Sequence, residues 1–244
     1  MENRRQRSIL KQGVSIITCT KRQSYVAQLF KNYTRQRHSK KELIIVVNND
    51  AISLEPYEQA AKHLRHVQIF RVPEHYSLGT CLNLAVKKTK YNYVAKFDDD
   101  DYYAPDYLTE GLLTFQKSGA DVLGKRAHYM YLRGSKTLIL RFANDENKVV
   151  SKLPGATLMI KRKVLKQVSF PDQNVGEDDL FCKRSKKKGF KVYSGGKHNF
   201  AAIRRKNSAD HTWIINDEEL IAHHKSIPGV HNFKKFVKRK PKGV

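Results

Sequence analysis

Tyr93-Val94-Ala95-Lys96-Phe97-Asp98-Asp99-Asp100-Asp101 is the stretch on which the reading of this chain turns. Its first half is apolar, aromatic and β-branched, the composition of a strand buried on both faces. Its second half sets four carboxylates side by side. Adjacent like charges repel, and each loses hydration if buried alone, so core packing gives no reason for the run. A hard divalent cation, Mg²⁺ or Mn²⁺, removes the conflict, because it takes carboxylate oxygens and leaves coordination positions for phosphates. The competing use is a solvated acidic turn that caps a following helix, for which one aspartate is enough.

Upstream, three β-branched runs at 14–17, 43–47 and 67–70 have strand length. A helix over 24–37, with Tyr25, Val26, Leu29, Phe30 and Tyr33 on its apolar side, separates the first two, and a helix over 78–88 precedes the quoted strand. This alternation predicts an α/β fold with a doubly wound, mostly parallel sheet, in which ligands bind at the carboxyl ends of the strands. Cys19-Thr20, Asn48-Asn49-Asp50 and the four aspartates all lie at such ends. Downstream, Pro105 opens a helix with Tyr107, Leu108, Leu112 and Phe115 on its apolar face, so the aspartates occupy a strand-to-helix connection.

Beyond Ala120 the rhythm changes. Residues 129–132 and 137–142 read as a hairpin around Arg133-Gly134-Ser135-Lys136, followed by a strand at 158–160, helices over 161–167 and 178–188, and strands near 191–193 and 200–203. A second acidic cluster, Gly176-Glu177-Asp178-Asp179, opens the later helix inside a strongly basic region; it is either an acidic first turn or the source of a general base. The expected organisation is a basic extension over 1–13, one domain over 14–224 with halves 14–120 and 121–224, and a mobile basic tail over 225–244.

With 47 Lys and Arg against 23 Asp and Glu, the 244-residue chain carries a formal net charge of +24, a field that attracts polyanions, nucleotide phosphates or an acidic membrane surface. Cys19, Cys81 and Cys182 are odd in number and lack metal-ligand spacing, which excludes a disulfide framework or zinc cage of the usual kinds. No window approaches the ~20 apolar residues that span a bilayer, and the expected location is cytoplasmic, peripheral at most to a membrane or to a cell-wall or spore-surface assembly site.

These residues together resemble the family 2 nucleotide-diphospho-sugar transferases, inverting enzymes with the GT-A fold. The resemblance rests on an ordered set: the opening strand with Thr18-Cys19-Thr20-Lys21-Arg22, the second strand ending in Asn48-Asn49-Asp50, the Leu78-Gly79-x-x-x-Asn83 helix start, and the strand carrying an Asp-x-Asp motif with Pro105 beyond it. It spans about residues 14–215. It implies a GT-A domain with a nucleotide-binding N-terminal half and an acceptor-binding C-terminal half, a UDP-sugar or other nucleoside-diphosphate sugar as donor, and Mn²⁺ or Mg²⁺ as cofactor. The acceptor it implies is a hydroxyl of a glycan or glycopolymer, with an anionic polymer favoured by the charge; no specific nucleic acid is expected.

Residue by residue, the resemblance makes Asp98 and Asp100 the metal-binding pair and brings Asp99 near the ribose. Cys19, Thr20, Asn48 and Asn49 would hold the base, and Arg204 and His211 the diphosphate. Asp178 would be the catalytic base, with Gly155, Ala156, Glu177 and Trp213 around the acceptor. Two positions depart from the family pattern: Asn49 stands where Asp is common, and Leu82 where a basic residue is usual. The residues alone leave two rivals open, a metal-dependent phosphoryl transferase or nuclease and a non-catalytic nucleic-acid-binding module, both served by the positive field.

Overall fold

The computed structural model describes residues 8–206 and 215–241. The early apolar runs form β1 (Val14–Thr20), β2 (Lys41–Val47), β3 (Val67–Arg71) and β4 (Tyr93–Lys96), parallel in the order β3-β2-β1-β4. Between them lie α1 (Val26–Thr34), α2 (Glu55–Ala61), which the sequence pattern did not reveal, and α3 (Leu78–Lys88). α1 is shorter than expected because a 3₁₀ turn, Gln23–Tyr25, occupies its first residues.

The acidic run leads to a two-residue strand, β5 (Tyr102–Tyr103), then α4 (Tyr107–Ser118). The second half contributes β6 (Val122–Gly124), the hairpin β7 (His128–Leu132) and β8 (Thr137–Arg141), β9 (Lys148–Val149), β10 (Met159–Lys161), α5 (Arg162–Leu165), α6 (Glu177–Lys187), β11 (Val192–Ser194) and β12 (Phe200–Arg204). It does not stand apart from the first half. β10 inserts antiparallel between β4 and β6, and β11 and β9 extend the same sheet to eight strands, most of them parallel.

Alternation along the strands explains the layers. Val14, Ile16, Leu43, Ile45 and Ala95 face α1 and α4, meeting Leu29, Phe30, Tyr107, Leu112 and Phe115. Ile17, Ile44, Val46 and Val94 face the other way onto Cys81, Leu82 and Ala85 of α3 and Phe181 and Cys182 of α6. Each fully buried Ile, Leu or Val contributes roughly 1.5–3 kcal/mol. Leu82 is wholly buried in this second layer, which accounts for its apolar character.

A five-stranded sheet, in which β13 (Lys225–Ile227) is the edge of the order β13-β8-β7-β12-β5, lies beside the acidic turn. Its edge is built from the segment expected to be a basic tail. β13 pairs with β8, and α8 (Phe233–Val237) buries Val237, while the Asn199 amide donates to Val237 O at 2.8 Å. Asn199 Oδ1 in turn accepts from the Arg239 amide at 2.9 Å. The lysines there sit on a helix whose Phe233 stacks on Tyr131 with ring centroids 4.4 Å apart, a pairing that the charge-dominated sequence hides. α7 (Asp217–His223) precedes this edge. Among the described residues no helix is long and apolar enough to cross a membrane.

Candidate active site

The four aspartates have four different environments. Asp98 is ion-paired with Lys96, whose ammonium burial would weaken but which Asp98, Glu177 and Asp178 together hold firmly protonated. Asp99 accepts from Thr20 Oγ1 at 2.5 Å and is gripped by the Arg22 guanidinium. Burial, then Asp100, raises the Asp99 pKa, while Arg22 and Thr20 pull it back. Asp100 takes the other arm of Arg22 at 2.9 Å. Asp101 points inward: its carboxylate accepts from the Ile203 amide at 2.8 Å, and its carbonyl accepts from Gln28 and Asn32, each at 2.8 Å. Burial and the neighbouring Asp100 and Asp98 push the Asp101 carboxyl well above the usual range. Asp101 therefore fastens the acidic turn to β12 and α1.

A second anchor is aromatic. The Tyr103 ring stacks on Phe97 at 3.7 Å, and its hydroxyl accepts from the Asp98 amide at 2.8 Å while donating to Ala156 O at 2.6 Å. One phenol thus joins the acidic turn to the Gly155-Ala156 segment. At Gly155 a Cβ would lie 3.2 Å from Asp178 Oδ2 and 3.3 Å from Glu177 Oε1, so a larger residue would press on both carboxylates. Asp178 and Glu177 are delivered there by the first turn of α6, whose opposite side buries Phe181 and Cys182.

Arg22, Lys96, the four aspartates, the Gly155-Ala156 segment, Glu177 and Asp178 border one cavity of about 690 Å³. Cys19, Thr20, Asn48, Asp98, Asp99, Asp100, Gly155, Ala156, Glu177, Asp178 and Arg204 line it, so most of the expected positions converge. Asn49 does not line it; its side chain closes a local turn, accepting from the Ala51 amide at 2.9 Å and donating to Lys21 O at 3.4 Å. Asn48 meets the cavity but spends its amide on Pro73 O. His211 and Trp213 lie outside the described residues.

The far wall holds residues that sequence reasoning missed, His128, Met130, Arg141 and Ala202; Arg205, in the same basic segment as Arg204, lines it as well. His128 pairs with Arg141 across the hairpin, and Met130 lies two residues on, so strand alternation supplied the signal once the hairpin's inner face was known. Burial, then Arg141, drives the His128 imidazole down to about 3, so it is neutral. Burial, then Arg126 and Arg204, lowers Arg141 to about 10, marking a concentration of guanidinium charge. Arg22 was also missed as a partner of the acidic run, although it stands at the end of the loop that faces it.

The donor set fits a cation held in part by substrate. Asp98 and Asp100 present carboxylates to the cavity, and nowhere among the described residues, this cavity included, do three His, Cys, Asp or Glu side chains converge to form an all-protein cage. One or two carboxylates completed by phosphate oxygens and water is the usual Mg²⁺ arrangement.

A sequence profile described as glycosyl transferase family 2 matches residues 15–183, more than half of the chain. The chain belongs to glycosyl transferase family 2. Among solved structures, it is similar to S. aureus TarS 1–349 in complex with UDP-GlcNAc, with a TM-score of 0.66 and 17% identity over 85% of this chain and 63% of that one. It is also similar to the mannosyltransferase PcManGT from Pyrobaculum calidifontis in complex with GDP-Man and Mn²⁺, with a TM-score of 0.64 and 14% identity over 83% of this chain and 63% of that one. At these identities the likeness establishes the GT-A fold, and the chain spans about 60% of the length of these structures. Among curated proteins, none matches the chain significantly.

Proposed function

We propose that this family 2 member transfers a sugar from a nucleoside-diphosphate sugar to a hydroxyl of a glycan or glycopolymer, with inversion and with the help of Mn²⁺ or Mg²⁺. The observation that carries the reading is the convergence, on one cavity, of the Asp98–Asp100 carboxylates, the Asp178 carboxylate and the Arg204–Arg205 guanidiniums. Support for the donor class comes from the family and from the UDP-GlcNAc and GDP-Man complexes of the two similar structures.

The nucleoside would lie along Cys19, Thr20 and Asn48 at the ends of β1 and β2, and the diphosphate beside Asp100. A divalent cation bound there would supply Lewis-acid stabilisation of the departing diphosphate. Arg204 and Arg205 add positive charge where that negative charge grows. The acceptor oxygen bonds to the anomeric carbon as the bond from that carbon to the phosphate oxygen breaks, the bonding pair leaving with the diphosphate. Asp178 takes the acceptor proton, and a single displacement of this kind inverts the anomeric centre. An anionic polymer as acceptor accords with the net charge of +24.

The test is a thermal-shift screen of UDP- and GDP-sugars with and without Mn²⁺, followed by NMR of the anomeric product. A shift that requires both donor and cation, with product of opposite anomeric configuration, is expected. Salt-sensitive nucleic-acid binding with no response to any nucleotide sugar would replace this reading with a nucleic-acid-binding one.

A further inference from the structure

A second groove, of about 500 Å³, opens beside the first. Its walls are Ser151 and Lys152 on one side and Gly176, Asp179, Leu180, Lys183 and Lys186 on the other. Gly176 lines both spaces, so the groove begins at the edge of the catalytic cavity, two residues before Asp178.

The α6 wall has a simple origin in sequence. Positions 176, 179, 180, 183 and 186 are spaced by three or one, which places them on a single stripe of a 3.6-residue helix. Phe181, Cys182 and Ser185 are buried on the opposite side, so packing of the core fixes which stripe faces outward. From Gly176 to Lys186 the stripe runs roughly 15 Å at a rise of 1.5 Å per residue. Its charge is graded along that length. Asp179, near the cavity, is neutralised by Lys152 at 2.7 Å. Lys183 and Lys186 are exposed and take part in no ion pair among the described residues. Lysines in a helix's last turn are accounted for by the helix dipole, but Lys183 precedes that turn, and a dipole does not require a groove.

We infer that this groove is the path along which an anionic glycopolymer, carrying a phosphodiester or a carboxylate in each repeat, reaches Asp178 with its acceptor hydroxyl. The inference rests on the glycosyl-transfer reading and adds the acceptor's direction of approach and the lysines that hold its anionic groups. A chain laid along the stripe places anionic groups against Lys183 and Lys186 and passes over Gly176, where no side chain blocks entry.

The test uses fluorescence anisotropy of the full chain with labelled poly(glycerol phosphate) and labelled polygalacturonate, with neutral dextran and poly(dT) as comparisons. The variants are K183Q/K186Q, and K187Q/K188Q as a control that removes equal charge from the C-terminal end and cap of the same helix, outside the groove. The expected result is binding of one or both anionic polymers, weakened at least tenfold in K183Q/K186Q and less than twofold in the control. The slope of log affinity against log salt should fall by about one to two in the first variant. Equal weakening in both variants, no binding of either glycopolymer, or tighter lysine-dependent binding of poly(dT), each overturns the proposal. Binding of UDP and GDP with Mn²⁺ is measured on the same samples, so a failed donor reading shows as wild-type protein that takes the polymer but no nucleotide.

Discussion

The backbone amide of Gly155 donates a 2.6 Å hydrogen bond to Asp178 Oδ2. The other carboxylate oxygen accepts from the Asp179 amide at 2.8 Å, so the side chain is held by two backbone donors at the head of α6. Two backbone donors fix the orientation of the carboxylate, as a general base requires. The Asp178→Asn variant should therefore lose about 10²–10⁴-fold in kcat while binding nucleoside diphosphate with Mn²⁺ as the wild type does. Steady-state kinetics with calorimetry of nucleotide binding separates the two quantities. Retained turnover would remove Asp178 from the role of base.

Arg22 holds Asp99 and Asp100 together, and its guanidinium also stacks over Tyr25 at 4.5 Å. Replacing it with Gln leaves Asp99, almost wholly buried, without its cation. Because Arg22 is about one-third exposed, the loss is discounted from the full cost of a broken buried pair to on the order of 2 kcal/mol. The expected result is a lower Tm for R22Q, and a larger rise in Tm on adding Mn²⁺ than the wild type shows. Unequal melting with no greater response to Mn²⁺ would place the cation elsewhere.

Burial pushes the Glu177 carboxyl up to about 7, opposed by Lys96 and reinforced by Asp178 and Asp98. Between about 4.5 and 7 the unfolded chain gives up this proton while the folded chain keeps it, so the group's contribution to stability falls as pH rises through that window. Glu177→Gln abolishes the titration. Compared with the wild type, it should gain in relative Tm by several degrees from pH 5 to pH 8. A constant difference across that range would contradict the raised pKa.

Gly79 packs against the backbone of the loop after Phe170: a Cβ there would lie 1.7 Å from Pro171 O. The Gly79 amide donates to Gln173 O at 3.2 Å, Asn83 exchanges two hydrogen bonds with Phe170, and Ser77 and Thr80 both donate to Asp172. The Leu-Gly-x-x-x-Asn segment is thus a clamp on the loop that leads to Asn174, Val175 and the α6 carboxylates. Gly79→Ala should destabilise the fold by on the order of 2–3 kcal/mol and lower turnover through displaced carboxylates. Denaturant unfolding alongside kinetics checks both; an unchanged midpoint would mean the loop yields freely.

Much of this was legible in the residues because the strongest signals are local. Apolar runs of strand length, a helix between them and carboxylates at a strand end define the large sheet and one side of its cavity, and Glu177-Asp178 stands out against its basic surroundings. What escaped notice depends on contacts between distant segments. The clamp made by Asn83 and Gly79 pairs residues about ninety positions apart, and Arg141 reaches the cavity only because the hairpin turns one face toward it. Phe233 and Val237 were hidden among lysines that set the apparent character of their segment, although burial of those two side chains, not charge, decides its placement.

The account stands or falls on the initial rate of nucleoside diphosphate release from nucleotide sugar and acceptor, followed with Mn²⁺ and then with EDTA, in the wild type and in Asp100→Asn. It predicts release that requires the cation and drops at least a hundredfold in D100N, as expected when the charge on a leaving group loses its main stabiliser. Release that persists undiminished in EDTA, or in D100N, would contradict it.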